Sequence, residues 1–463
     1  MSDIDPNHRP NILYQLEDKI PARTAALVAF QHVMAMFIGV ITMPLVVSHA
    51  LKFNVGDTAY LVSMGLFISG ISTCIQTGGI GPVGSRLLAI QGTSFAFLKP
   101  LIQAGSAGGM PLMIGMALVC APVEGILSIY LPKLRRVFTP VVTGIVVLLI
   151  GASLVPVGMR SIASGLNASA PPWAGVAIAA FVLGVVLAFN GLRRPWARMA
   201  AVPVALGVGC LICYSLGYLK PVAVEAVDQA SWIVLPIPFK YGLAFRWEFL
   251  LPFLFVYTIT TLETIGDITA TSQLSLQPIE GPAYWKRVRG GVLADSVNSL
   301  LAAVFNTFPN TTFAQNNGVI QLTGVASRRV GYWVGGFLSL LGLFPVIGRA
   351  IALIPGPVLG AVTLLLFGMV ATAGVRILQQ VTLNHRNLLI VATSLSLGLG
   401  VEAVPQVLEP LPEVLKLIFA SAITTGGFAA LVLNTLMPHD EPQTLPLASA
   451  EVTENPQTAI SGS

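Results

Sequence analysis

The sequence predicts an all-α polytopic membrane protein of about fourteen spans, and three observations carry that prediction. Only 10% of the 463 residues are charged and 54% are hydrophobic, where a soluble chain carries about a quarter charged residues. Apolar runs able to cross a ~30 Å hydrocarbon layer recur along the chain. The basic residues gather in alternate loops, as they do when one set of loops stays on the cytoplasmic side. Mean hydropathy is +0.80, so lipid is the solvent for most of the surface.

Taken in order, the spans fall near 25–47, 58–76, 85–104, 111–131, 137–155, 172–189 and 199–217. The second half supplies 247–270, 291–308, 311–326, 331–347, 353–374, 387–402 and 415–437. The polar stretch before the first span is too long for a secretory signal peptide, so that span is expected to be retained. With the N-terminus inside, cytoplasmic segments hold Lys19 and Arg23, Lys133, Arg135 and Arg136, then Arg193, Arg194 and Arg198. Lys286, Arg287 and Arg289, Arg328 and Arg329, and Arg376 and Arg386 follow on the same side. Fewer cations and more acids, including Glu225, Asp228, Glu402, Glu409 and Glu413, fall on the other. This bias puts both termini in the cytoplasm, and it explains the net charge of +5 without a nucleic-acid partner; the protein is expected in the inner membrane. Cys74, Cys120, Cys210 and Cys213 all lie in apolar runs and read as small packing residues; no metal site or cofactor is expected.

The halves are related. Pro140 opens PVVTGIVVLLIG and Pro357 opens PVLGAVTLLLFG, with matching spacing, nearly half the chain apart. An odd number of spans per half makes such repeats inverted, as in many secondary transporters. Two stretches at matching positions break the membrane pattern: GPVGSRLLAIQGTSFAFLKP (81–100) and FNTFPNTTFAQNNGVIQLTG (305–324). Each has a few β-favouring residues, then polar ones, then a helical stretch. Irregular backbone at membrane depth survives only where protein or a wet cavity satisfies its N–H and C=O groups. Two half-helices starting at mid-membrane aim their free N–H groups at one shared polar site.

Acids inside spans mark the same region. Glu263 and Asp267, in TTLETIGDITATS, are spaced i, i+4 and share a helix face. A carboxylate at the bilayer centre costs at least ~2.5–3.5 kcal/mol, so such groups face cavities or relay protons. The alternative, more open for Asp267, is that the helix ends early and both acids sit at the interface. Asp295 either pairs or caps a helix. His32 stands inside the first span, where a histidine is often simply hydrogen-bonded in the bundle. Glu124 reads as helix-packing glue.

At QNNGVIQLTG (315–324) the sequence resembles the nucleobase–ascorbate transporter family, whose signature is met by Gln315, Asn316, Gly318, Thr323 and Gly324. LETIGDITATS, KRVRGGVLADS, GPVGSRLLAIQGTSF and QHVMAMF are similar to further stretches of that family, and the resemblance runs from about Leu16 to Met437. It implies two inverted repeats of seven segments, with short β-strands in broken spans three and ten. Residues 25–132 and 247–348 would form a core domain and 133–218 and 349–437 a gate domain. The tails 1–24 and 438–463 would be cytoplasmic and the loop 219–246 periplasmic. The resemblance also places substrate ligands on Glu263 and Gln315. Associated polar positions fall on Asp267, Asp295, Asn316 and His32, and backbone groups near Ser94, Phe95, Phe313 and Ala314 line the site.

The expected activity is proton-coupled import of a purine base, xanthine first, by alternating access, with a homodimer formed through the gate domain. An ionised carboxylate only accepts hydrogen bonds while a side-chain amide donates and accepts, a pairing suited to a purine dione edge. Ser94 is smaller than the Asn of some xanthine-selective members, which leaves room for an 8-oxo group and so for urate. The alternatives are a uracil or pyrimidine permease, and an inorganic anion carrier of the same fold. An enzyme is not expected: the five histidines form no cluster with a nucleophile.

Overall fold

The computed structural model describes residues 12–134, 139–163, 166, 170–192, 194–218, 233–344 and 354–438. The outermost parts of both tails and residues 219–232, half of the expected periplasmic loop, therefore lie outside the described residues.

The chain is mostly helical, with one two-stranded sheet among the described residues. The first half runs α1 (Ala22–Ala50), α2 (Val55–Gly78), β1 (Gln91–Thr93), α3 (Leu98–Cys120), α4 (Pro122–Leu134), α5 (Pro140–Ala163), α6 (Ala174–Gly191) and α7 (Pro195–Ser215). The second runs α8 (Leu250–Leu274), α9 (Gly281–Val304), β2 (Asn310–Thr312), α10 (Gln315–Thr323) and α11 (Arg329–Leu343). It closes with α12 (Gly356–Gln379), α13 (His385–Ala403), α14 (Glu413–Phe419) and α15 (Ala422–Leu436). Seven helical stretches among the described residues are long and apolar enough to cross a membrane unaided. Local chemistry sets several ends. Asn54 caps α2 by accepting from the Asp57 N–H at 2.8 Å, and Gly324, left-handed at φ 66°, closes α10.

Both expected breaks are present. The first strand begins after the β-favouring run, since Leu87 and Leu88 form a bend and β1 starts at Gln91. β2 pairs with β1 antiparallel, Gln91 opposite Thr312, Gly92 opposite Thr311 and Thr93 opposite Asn310. The ladder continues at both ends, with Ser94 N–H donating to Pro309 O at 2.8 Å and Phe313 N–H to Ile90 O at 2.9 Å. Every strand residue is buried. Each strand thus satisfies the backbone of the other where water is absent. A helix begins just past each strand.

Three boundaries differ from expectation. The stretch carrying Lys286, Arg287 and Arg289 is not a loop but the opening turns of α9, started by Pro282 in its first turn. The last span is bent by 87° between α14 and α15, where the Ser421 hydroxyl accepts from the Ile423 N–H and starts a new helix. The division between spans three and four is internal to α3, at Gly108 and Gly109, the latter at φ 66°; Gly105 then lies against Met113.

The two related segments meet. α5 and α12 pack antiparallel, Gly144 against Leu378, Gly151 against Ala371 and Gly374 against Leu148. A Cβ on Gly151 would stand 2.1 Å from the Ala371 nitrogen, so the helices approach backbone to backbone, the small-residue packing of membrane helices.

Candidate functional site

One cavity, of about 290 Å³, opens beside the strand pair, near the lower end of the ~300–1,000 Å³ usual for small-molecule sites. α8 contributes Glu263 and Asp267, β2 contributes Thr311 and Thr312, and the start of α10 contributes Gln315 and Gly318, with Phe313 and Ala314 leading into it. Phe95, just before α3, comes from the other broken span. The facing wall is built by α5 (Val147, Ile150) and α12, whose Met369, Thr372 and Arg376 reach the same space.

Glu263 and Asp267 share the cavity because α8 continues to Leu274 instead of ending early. Asp267 is held: the Thr312 hydroxyl donates to its Oδ2 at 2.9 Å. Glu263 is not. Its Oε2 is enclosed without a hydrogen-bond partner, and no Lys or Arg among the described residues pairs with it. Gln315 opens α10, a helix that no side chain caps; the Asn316 and Asn317 N–H groups donate back to Phe313 O at 3.2 Å and Ala314 O at 3.0 Å, and the positive dipole end of the helix sits at the cavity.

The aromatic pair flanks these groups. The rings of Phe95 and Phe313 are parallel to within 3°, with centroids 6.5 Å apart, and Phe95 is held edge-on by Phe367 at 5.1 Å. Phe313 rests on two glycines: a Cβ at Gly92 would come within 2.7 Å of its ring, and one at Gly39 within 2.9 Å. A flat heteroaromatic ring thus finds aromatic faces to stack on, an acceptor-only carboxylate and a donor–acceptor amide.

The other residues singled out from sequence stand behind the cavity wall. Asp295 is fully buried and accepts from Gln91 Nε2 at 2.8 Å and from the Thr264 hydroxyl. Ser94 is buried, its Oγ without a partner, and is not on the wall. Asn316 points its amide at Met36 Sδ, 3.7 Å away, and His32 is fully buried in α1 with both ring nitrogens unpartnered. Sequence reasoning missed Thr312, Gln91 and Arg376. Gln91 was legible as the one side-chain amide beside the β-favouring run. Arg376 was counted as a loop cation because its place on the last turn of α12 follows from where that helix ends. Glu124, also buried, accepts from the Thr260 hydroxyl at 2.6 Å, one turn from Glu263.

A family model described as "Permease family" matches residues 23–407. The chain belongs to that family, the nucleobase–ascorbate transporters. This nucleobase–ascorbate transporter is 45% identical over 443 residues to the xanthine permease XanP of Escherichia coli strain K12, covering 93% of this chain and 95% of that one. It is 41% identical over 452 residues to the xanthine permease XanQ of the same strain, covering 95% and 96%. Among solved structures it is similar to the murine anion transporter Slc26a9 in an inward-facing state, with a TM-score of 0.61 at 11% identity over 91% of this chain and 69% of that one. At that identity the likeness is one of fold. The transporter is thus a multi-pass membrane permease of that architecture.

Proposed function

We propose that the protein is a proton-coupled symporter of the bacterial inner membrane that imports purine bases, xanthine above all, by alternating access. The observation that carries this reading is the pairing, at one cavity, of an unpartnered Glu263 with Gln315 beside the parallel rings of Phe95 and Phe313. Relatives named xanthine permeases, at 45% and 41% identity over nearly the whole chain, support the substrate. Xanthine is planar and presents N–H donors and carbonyl acceptors along its edge. Glu263 accepts from the ring N–H groups, Gln315 meets a mixed edge, and the positive dipole end of α10 faces a carbonyl.

Asp267 is the favoured proton carrier, since it lines the cavity and is held by one hydroxyl only. Asp295 and His32 are enclosed behind it. In this reading the polar wall (α3, α8, β2, α10) belongs to the core domain, and α5 and α12 to the gate domain. The core moves against the gate, the two halves are inverted repeats, both termini are cytoplasmic, and a second copy docks through the gate. Arg376 supplies one cation on the gate side, which favours oxopurines that ionise, such as urate, over neutral pyrimidines. The test is uptake of radiolabelled xanthine into cells expressing the protein, competed by purines and pyrimidines, with and without a protonophore. Competition by uracil alone, or uptake indifferent to the protonophore, would overturn the corresponding part of the reading.

A further inference from the structure

A second concave site lies away from the substrate cavity, on the side that the loop charges assign to the cytoplasm. It has a volume of about 450 Å³ and three walls: Leu16 and Glu17 before α1, the loop from Gly81 to Arg86, and the opening turns of α9 with Lys286, Arg287 and Arg289. Four cations therefore face one hollow. Its only acid, Glu17, is engaged elsewhere, its Oε2 accepting from Arg328 Nε at 2.9 Å and Nη2 at 2.8 Å. No ion pair among the described residues neutralises Arg86, Lys286, Arg287 or Arg289.

Alternate-loop positive charge accounts for cations being on this side. It does not account for how these are held. Arg287 donates from Nη2 to Gln277 Oε1 at 2.6 Å, while its other arm, Nη1, is enclosed with no acceptor. A buried cationic donor left unpaired is destabilising. Arg86 sits at φ 58°, a left-handed backbone that a non-glycine residue seldom takes. The loop before it turns through Gly79, Gly81 and Gly84, all at positive φ. That turn lays the Arg86 side chain along Gly79 and lets Nη2 donate to Gly81 O at 3.2 Å. Gly84 N–H anchors the loop to α9 through Gly290 O at 2.8 Å. The N-terminus of the 24-residue α9 adds its dipole to the same wall.

We propose that this hollow binds a phosphate group, supplied either by the headgroup of an anionic lipid in the adjoining leaflet or by free phosphate. Guanidinium forks match phosphate oxygens, and the unpartnered Nη1 of Arg287 gains its acceptor. The site is independent of the transport reading, and its test does not use transport. The purified protein is placed in phosphatidylcholine nanodiscs, and its thermal unfolding midpoint is measured with and without phosphatidylglycerol, and separately with inorganic phosphate against chloride at equal ionic strength. A ligand bound only by the folded state should raise the midpoint by about 2–4 °C at saturation. The variant Lys286→Gln/Arg289→Gln, both at exposed positions, and the separate variant Arg287→Gln should each lose that shift. A rise with phosphatidylglycerol alone assigns the occupant to lipid; a rise with phosphate in phosphatidylcholine discs assigns it to the free anion. No rise with either, or an equal rise in the variants, overturns the proposal and leaves only a basic rim.

Discussion

The two broken spans share a scaffold and divide the chemistry unequally. Each supplies a three-residue strand and then a helix, yet the first arm puts only Phe95 on the cavity, while the second puts Thr311, Thr312, Phe313, Ala314, Gln315 and Gly318 there. The polar side chain of the first strand, Gln91, turns away and holds Asp295. The helices differ too: α10 has nine residues and stops at a left-handed Gly324, while α3 runs 23 residues across a kink. The backbone clasp that membrane depth demands is common to both arms, while their side chains differ. In the proposed reading, recognition falls to the second arm and its neighbour α8, and the first arm is mostly support.

Substitutions that break this comparison should do so in a definite order. Glu263→Gln should have the largest effect, because it takes a charge-assisted acceptor from the one carboxylate left open to a ligand. A loss of roughly 2–3 kcal/mol, about thirty- to 150-fold, is expected in xanthine uptake at normal membrane levels. Uptake like that of the unaltered protein would remove Glu263 from the site. Asp267→Asn should come next and differ in kind: accumulation against a gradient falls while xanthine binding to membranes persists. Normal, protonophore-sensitive accumulation would leave Asp267 a structural partner of Thr312.

Gln315→Glu should weaken xanthine transport at least about tenfold, equivalent to ~1.4 kcal/mol, since it replaces a donor–acceptor group by an acceptor and adds a carboxylate near Glu263. A second carboxylate makes one of the pair easier to protonate, so the remaining activity should move toward lower pH. Gln315→Asn should be milder and keep the original pH profile; identical behaviour of the two would reduce Gln315 to packing.

The first arm should act only through what it supports. Gly92→Ala forces the Phe313 ring to move, because the new methyl would lie within 2.7 Å of it. Losing a stacking face is worth about 0.5–1.5 kcal/mol, read as a several-fold rise in KM for xanthine with little change in expression. Ser94→Asn should be the mildest. Its site is buried behind the wall, so the expected result is a modest fall in urate competition. Unchanged urate competition would show that Ser94 has no part in selection.

Much of this architecture was legible because membrane solvent imposes strict rules. The many apolar spans and the two breaks follow from hydropathy and from polar residues where lipid permits none, while the first strand falls at Gln91–Thr93, just after the β-favouring run at Leu87 to Ile90. The convergence of Glu263, Asp267, Phe95, Phe313 and Gln315 on one cavity needed the family signature as well, since nothing local ties residue 95 to residue 313. Helix ends were poorly legible. The polar opening turns of α9 look like a loop to any hydropathy argument, and Arg376 looked like a loop cation for the same reason. The hydrogen bonds of Asp295 to Gln91 and Thr264 lie across long sequence separations and leave no local trace.

The strand pair also bears on how the protein is made. Gln91 and Thr312 come from opposite halves of the chain, so during synthesis the first strand waits in the membrane with unsatisfied N–H and C=O groups until the second emerges. Such non-local pairing is slow, and an unpaired strand in hydrocarbon is unfavourable. The cavity beside the strands is then among the last parts to assemble. A chain that fails to close it leaves the backbone groups of both strands unpaired at membrane depth, the one place where no water can take over their hydrogen bonds.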